Sequence, residues 1–156
     1  MIEAVADERS LSAAKKLIRE HFEAHSEAHD ASQISAVIDK LPSPYVPPSG
    51  GLWVAWDGEE PVGCVALQSL SNDVGEVKRM YVRPEHRGRG IARELAHLVI
   101  DEARSRGYST LRLGTLASMI PAQNLYTSLG FTPIDPYRNV EFGTTLFYEL
   151  PLMKKS

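Results

Sequence analysis

The sequence predicts an α/β sandwich: a mixed, mostly antiparallel sheet flanked by helices. Three observations carry that class. Helical periodicity comes early and a run of short strands follows, so the elements are segregated and not strictly alternating. Residues 52–56, 62–70 and 77–82 succeed one another across tight turns, which makes an antiparallel meander. A long helical stretch from Ile91 then separates them from a short strand at 111–113 and a closing pair of strands, the spacing of a crossover connection. With 156 residues, 43% hydrophobic and 24% charged, the chain is expected to form one domain over residues 1–156 with a full core.

Each element has a local reason. Residues 2–5 form a short first strand. Asp7 or Ser10 caps the next helix, whose apolar stripe is Leu11, Ala14, Leu17, Ile18 and Phe22. Ile34, Val37, Ile38 and Leu41 mark a second helix, and Asp30 with Gln33 resembles a capping box. Residues 41–51 hold four prolines and read as a semi-rigid extended loop. Asp57-Gly58 is a strong hairpin signal between the next two strands. Pro84 ends the central strand, because it has no N–H to donate. Ile91, Leu95, Leu98, Val99 and Ala103 then fall at helical spacing, with Gly107 as the C-terminal cap. Ser118 caps a further helix that runs to Leu129 and stops at Gly130. Residues 131–134 and 144–150 close the sheet.

Composition excludes several functions. The formal net charge is -3, which argues against nucleic acid as the main partner. The single cysteine, Cys64, rules out an internal disulfide and suits a reducing compartment. No run of about 18 apolar residues offers a membrane span. Residues 1–5 lack the basic-then-apolar start of a secretory signal, so a cytoplasmic location is expected. His21, His25 and His29 recur every four residues, a spacing that can bind metal on a helix. No third ligand accompanies them and the segment reads as a solvated face, so no metal is expected.

The segment from Val77 to Arg93 organises the chain. A strand leads through a basic glycine turn into a helix N-terminus, where the first N–H groups lack backbone partners and the helix dipole is positive. An anion fits there, above all a phosphate or pyrophosphate. Gly88 and Gly90 let it approach the main chain, and Arg87, Arg89 and Arg93 add charge. The pattern is neither G-x-G-x-x-G nor G-x-x-x-x-G-K-[ST], so dinucleotide and Walker-type sites are not indicated.

Arg87-Gly88-Arg89-Gly90-Ile91-Ala92 matches the R/Q-x-x-G-x-G/A signature of the GNAT superfamily of acetyl-CoA-dependent N-acetyltransferases. Glu76-Val77-Lys78-Arg79-Met80-Tyr81-Val82 resembles the central strand of that family. Ala122-Gln123-Asn124-Leu125-Tyr126-Thr127-Ser128-Leu129-Gly130-Phe131 resembles its A-x-x-L-Y-x-x-x-G-F segment. The resemblance covers residues 50–150 and, more loosely, the N-terminal third.

The resemblance implies acetyl transfer from acetyl-CoA to a primary amine of a small molecule or exposed amino group, by direct attack in a ternary complex. Residues Arg87, Gly88, Arg89, Gly90, Ile91, Ala92 and Arg93 would hold the pyrophosphate. The main chain of Met80, Tyr81 and Val82 would pair with the pantetheine arm where the central strand splays from the next. An N–H near Val82 would polarise the thioester. Tyr126 is expected beside the sulfur as general acid, its phenol pKa of about 10 suiting that role. Glu76 is the expected general base, eleven positions before Arg87 (87 − 76), the offset of histone-type members. It shares strand parity with Met80 and Val82 unless a bulge intervenes. Asp73 is the weaker alternative. Tyr45, in the proline-rich loop, is the expected acceptor contact. Two positions depart from the family pattern. Gly114 stands where other members carry a carboxylate, and Met119 where many carry asparagine. A homodimer is suggested by the resemblance alone. The competing readings are a non-catalytic acyl-CoA-binding module on the same fold and a nucleotide-phosphate binder, which would lack its magnesium ligands.

Overall fold

The computed structural model describes residues 1–24, 31–138 and 145–152. His25 and His29 lie outside them, as do Asp30 of the expected capping box and residues 139–144 of the closing hairpin. The elements run β1 (Ile2–Ala4), α1 (Glu8–Ala24), α2 (Ala31–Lys40), β2 (Gly51–Asp57), β3 (Glu60–Ser69) and β4 (Val74–Val82). They continue with α3 (Ile91–Ser105), β5 (Thr110–Leu116), α4 (Ile120–Ser128), β6 (Thr132–Ile134) and β7 (Thr145–Pro151). The seven strands form one sheet in the order β1-β2-β3-β4-β5-β7-β6, with β4 and β5 parallel and every other pair antiparallel. The expected sandwich and meander are therefore present.

Two apolar layers sandwich the sheet. On one face Ala14, Leu17, Ile18 and Phe22 of α1 pack with Ile34 and Ile38 of α2 against Val54, Cys64 and Ala66. On the other, Leu95, Val99, Ile100 and Ala103 of α3 pack against Val65, Leu67, Val77 and Val82, and Tyr126 of α4 joins them. Leu17, Ile18 and Leu95 are fully buried. Each contributes on the order of 1.5–3 kcal/mol, so these stripes dock the helices without help from propensity.

The caps are as local as the sequence implies. Asp7 Oδ1 accepts the Ser10 N–H at 2.8 Å, and Ser10 Oγ accepts the Asp7 N–H at 3.2 Å. Both expected cap residues therefore act, each on the other. At the end of α3, Gly107 (φ 87°) donates to the Arg104 carbonyl and Tyr108 to that of Ala103, a Schellman motif. Gly58 (φ 63°) turns the first corner of the two-residue hairpin between Asp57 and Glu60.

Three expectations are corrected. Residues 41–50 are not extended. Tyr45 N–H reaches the Pro42 carbonyl and Gly50 N–H that of Val46, so successive turns fold the prolines back on the sheet. The residue that caps α4 is Met119, without a side-chain hydrogen bond, and not Ser118. Most important, β4 carries a bulge. Cys64 pairs with Tyr81 but Ala66 with Lys78, so Arg79 and Met80 together face Val65 alone. Arg79 sits at φ 55°, the one non-glycine residue with positive φ among the described residues. Its freed carbonyl accepts the Cys64 thiol at 3.2 Å.

Cys64 is fully buried, and burial pushes its thiol up to about 12. The folded state thus keeps the proton while the unfolded thiol ionises near its ordinary pKa of about 8.5. The native state binds more protons in that window, so stability is full below it and falls as pH rises toward 12. Cys64 alone should remove about 1.4 kcal/mol per pH unit there. Denaturant titrations of Cys64→Ala at pH 8 and 10.5 should show a shallower fall than the parent. Equal slopes would contradict this assignment.

Candidate active site

The turn before α3 leaves a row of main-chain donors open. Arg87 N–H returns to the Pro84 carbonyl, and the next bonded amide is Glu94, which reaches the Gly90 carbonyl. Among the described residues no acceptor engages the N–H groups of Gly88, Arg89, Gly90, Ile91, Ala92 and Arg93. Gly90 caps the helix with no side chain, at φ 82°, and Gly88 lies at φ 81°. A Cβ added at either glycine would meet nothing within 4 Å, so the donors look onto open space. Unsealed amides, an aligned helix dipole and the exposed Arg89 could together hold an anion here. Arg87 and Arg93 have second duties. Arg87 Nε donates to the Val82 carbonyl at 3.0 Å, and Arg93 donates to Ser128 Oγ at 3.0 Å, tying α3 to α4.

Beside this turn the sheet opens. β4 pairs with β5 only from Val74 to Glu76, opposite Thr110 to Arg112, although β4 runs on to Val82 and β5 to Leu116. Arg83 N–H bonds the Val62 carbonyl on the β3 side. Backbone groups alternate sides along a strand, so the N–H and carbonyl of Val82 face the gap. The Arg87 bond to Val82 lies on that side. An extended chain with amide groups can add itself here as a strand would.

Tyr126 stands on the α3 side of this gap. The spacing L-Y-x-x-x-G-F has a structural cause. Gly130 (φ 100°) donates to the Thr127 carbonyl and Phe131 to that of Tyr126, which closes a Schellman motif. Tyr126 and Phe131 make its accompanying apolar contact, edge to face at 5.5 Å. The ring is 5% exposed, and its hydroxyl has no hydrogen-bond partner among the described residues. Burial pushes its phenol above the ordinary range. The group therefore stays O–H across working pH and serves as a hydrogen-bond donor. Full proton transfer to a thiolate with a pKa of about 8.5 is uphill from a phenol of about 10, and burial steepens it.

The bulge overturns the parity expected of Glu76. Met80 and Val82 point into the α3 layer, while Tyr81 joins the α1 layer. Val77 also points toward α3, so Glu76 lies on the α1 face, opposite Met80 and Val82. Tyr81 is locked there, its hydroxyl 3.3 Å from Glu20 and its ring stacked on His21 at 5.3 Å, and by the same alternation its main chain faces β3 opposite Cys64 and not the gap. Glu76 is 2% exposed. Oε1 lies 3.3 Å from Lys78 Nζ, and Oε2 accepts from the Tyr137 hydroxyl and from Arg138 Nε at 3.3 Å. Asp73 is exposed and offers its carbonyl to Ser109 and Thr110. Tyr45 is buried on the same face as Glu76, its hydroxyl accepting from Arg79 Nε at 2.9 Å.

Arg79 also enters the site, and Tyr137 and Arg138, at the start of the closing hairpin, reach Glu76. No local pattern marks them, since a bulge and a long-range return of chain bring them in. The glycine at 114 does have a cause. A Cβ there would lie 3.1 Å from Arg138 Nη2 and from Phe147, so a side chain fits only where these neighbours give way by a few tenths of an ångström.

Comparison with known proteins agrees with this geometry. The acetyltransferase (GNAT) family profile matches residues 11–131. The uncharacterized N-acetyltransferase YsnE of Bacillus subtilis is 36% identical over 124 residues, covering 78% of this chain and 80% of that protein. The N-acetylaspartate synthetase of Danio rerio is 40% identical over 114 residues, 72% of this chain but 38% of that longer protein. The structure of yncA from Salmonella typhimurium, with its cofactor acetyl-CoA, superposes with a TM-score of 0.78 at 22% identity. It covers 100% of this chain and 95% of the other. The chain belongs to the GNAT family of acetyltransferases, and its class is that of an N-acetyltransferase enzyme. Among the described residues no group of three or more metal-ligating side chains is assembled, and no helix is long and apolar enough to cross a membrane.

Glu76→Gln should be costly, because it leaves Lys78 and Arg138 without their shared counter-charge. Removing one partner of a buried pair costs about 3–5 kcal/mol, reduced here by the exposure of Arg138 to about 2 kcal/mol. The melting temperature should fall by roughly 4–8 °C. A shift within 1 °C would show that Glu76 behaves as an ordinary surface carboxylate.

Proposed function

We propose that the chain transfers the acetyl group of acetyl-CoA to a primary amine by direct attack in a ternary complex. The observation that carries this reading is the uninterrupted row of unpartnered amides from Gly88 to Arg93, opening beside the gap between β4 and β5. Those amides, with Arg87, Arg89 and Arg93, bind the pyrophosphate. The main chain of Met80 and Val82 takes the pantetheine amides, and Ile91 and Ala92 flank its path. The acetyl-CoA in the yncA structure supports this choice of cofactor.

The Val82 N–H faces the thioester carbonyl and stabilises the oxyanion that forms when nitrogen bonds to the carbonyl carbon. A free alkylamine arrives protonated, with a pKa of about 10.4, and must lose that proton before attack. Glu76 takes it. Both its oxygens are engaged, so the proton arrives through the Tyr137 hydroxyl or a water. As the C–S bond breaks, the second proton of nitrogen passes to sulfur, which leaves as the thiol. Tyr126 donates a hydrogen bond to sulfur as its charge grows. The acceptor approaches from the α1 face, past Tyr45. The name of the Danio rerio relative makes acidic amino acids a natural part of any acceptor panel.

Thiol release from acetyl-CoA over amino acids, polyamines, aminoglycosides and peptides tests this function, with cofactor affinity measured separately by calorimetry. Turnover with at least one amine is expected. Tight cofactor binding without turnover on any amine would leave a binding module instead. Tyr126→Phe should lower kcat by about 10-fold or more, the scale of one lost donor in the transition state, while the affinity for coenzyme A changes less than about 3-fold. An unchanged kcat in single-turnover measurements would remove Tyr126 from the chemistry.

A further inference from the structure

On the α1 face of β4, Lys78, Arg79 and Arg138 gather around one carboxylate, that of Glu76, while Glu20 farther along is paired with Arg83. Glu76 is shared by Lys78 and Arg138. Arg79, next along the strand, has no carboxylate partner among the described residues. All these groups share one field. Burial lowers the Lys78 pKa, Glu76 raises it, and both Arg138 and Arg79 lower it again.

Arg79 is also held as a ligand-binding arginine would be. Its guanidinium lies 4.8 Å from the Phe22 ring centre and 6.0 Å from that of Tyr45. Nε is spent on the Tyr45 hydroxyl, which fixes the plane and leaves both terminal nitrogens without a protein partner among the described residues. A flat, oriented fork of this kind matches a carboxylate with two parallel hydrogen bonds. Its backbone bears the cost of a left-handed conformation. That strain turns a side chain at the bulge toward a cavity of about 230 Å³ lined by Ala36, Val37, Lys40, Ser43, Pro44 and Tyr45. The volume lies below the roughly 300–1,000 Å³ of sites for drug-sized ligands, which suits a small acceptor. The cavity is close to the reaction centre along the chain. Arg79 precedes Val82 by three residues, at most about 10 Å of strand.

Building on the acetyl transfer argued above, we propose that the acceptor is a small amino acid-like molecule whose carboxylate is bound by Arg79 in this cavity while its amine faces the thioester. Lys40 and Lys78 add attraction without direct pairing. Tyr45 acts on the acceptor by orienting Arg79 and by walling the cavity.

The test uses matched pairs of acceptors, free amino acids and their carboxamides, together with polyamines, all read by thiol release. The parent enzyme should prefer each acid over its amide by about 100-fold or more in kcat/KM. Arg79→Gln should narrow that preference to within about 5-fold, chiefly through KM for the acid, with coenzyme A affinity unchanged. Arg79→Lys should restore part of the preference, since it returns the charge without the fork. Tyr45→Phe keeps the wall and removes the hydroxyl, and should raise KM for acids alone by about 3–10-fold. Polyamines or amides used as well as acids by the parent would overturn the proposal while leaving acetyl transfer intact. So would an Arg79→Gln loss that falls equally on acid and amide, the mark of a purely structural role. Absence of thiol release with every amine would overturn acetyl transfer and this proposal together.

Discussion

The structure depends on a failure of strand pairing. β4 and β5 hold each other from Val74 to Glu76 and then part, although both strands continue. Parallel strands buried between two layers would ordinarily pair along their length, since each unpaired buried amide costs free energy. Here the separated stretch is where Val82 turns its N–H and carbonyl outward. Arg87 satisfies the carbonyl and the amide is left for a guest. The helix that follows presents its own open amides to the same opening. The sheet therefore supplies a strand-shaped vacancy and the helix a charge anchor at its mouth, which together suit a ligand with an amide-bearing arm and a diphosphate.

The bulge at Arg79 sets what lies on each side of that opening. One extra residue reverses the alternation of β4 between Glu76 and Val82. It puts Glu76 and Arg79 on the α1 face and Met80 and Val82 on the α3 face. Without it, Glu76, Met80 and Val82 would share one side. The distortion is supported from both layers. Cys64 binds the freed carbonyl, while Phe22 and Tyr45 flank the side chain. Tyr45 in turn is fixed by the folded-back proline segment, so a loop far along the sequence helps to hold a bent strand.

Much of this is legible in the amino-acid sequence alone. The helical stripes, the hairpin at Gly58, the turn at Gly88 and Gly90 and the motif around Tyr126 are local, and local rules of periodicity and turn geometry reveal them. The Tyr126 motif is readable for a second reason. Its spacing is that of a helix end, with Tyr126 three positions before the cap and Phe131 two after. The face of Glu76 was not legible. Parity along a strand holds only until a bulge, and nothing in Lys78-Arg79-Met80 announces one. Tyr137 and Arg138 were equally hidden, because they reach Glu76 from about 60 residues away. The departure at Gly114 was visible, but its cause, the closeness of Arg138 and Phe147, required the fold.

The central claim is that main-chain amides of the turn and of β4 are the groups that hold the cofactor. Amide hydrogen exchange with and without saturating coenzyme A, resolved residue by residue, tests it most directly. Strong added protection is expected from Gly88 to Arg93 and at Val82, with little change at the Gly58 hairpin or along α1. Binding that leaves the exchange of Gly88 to Arg93 and of Val82 unaltered would contradict it.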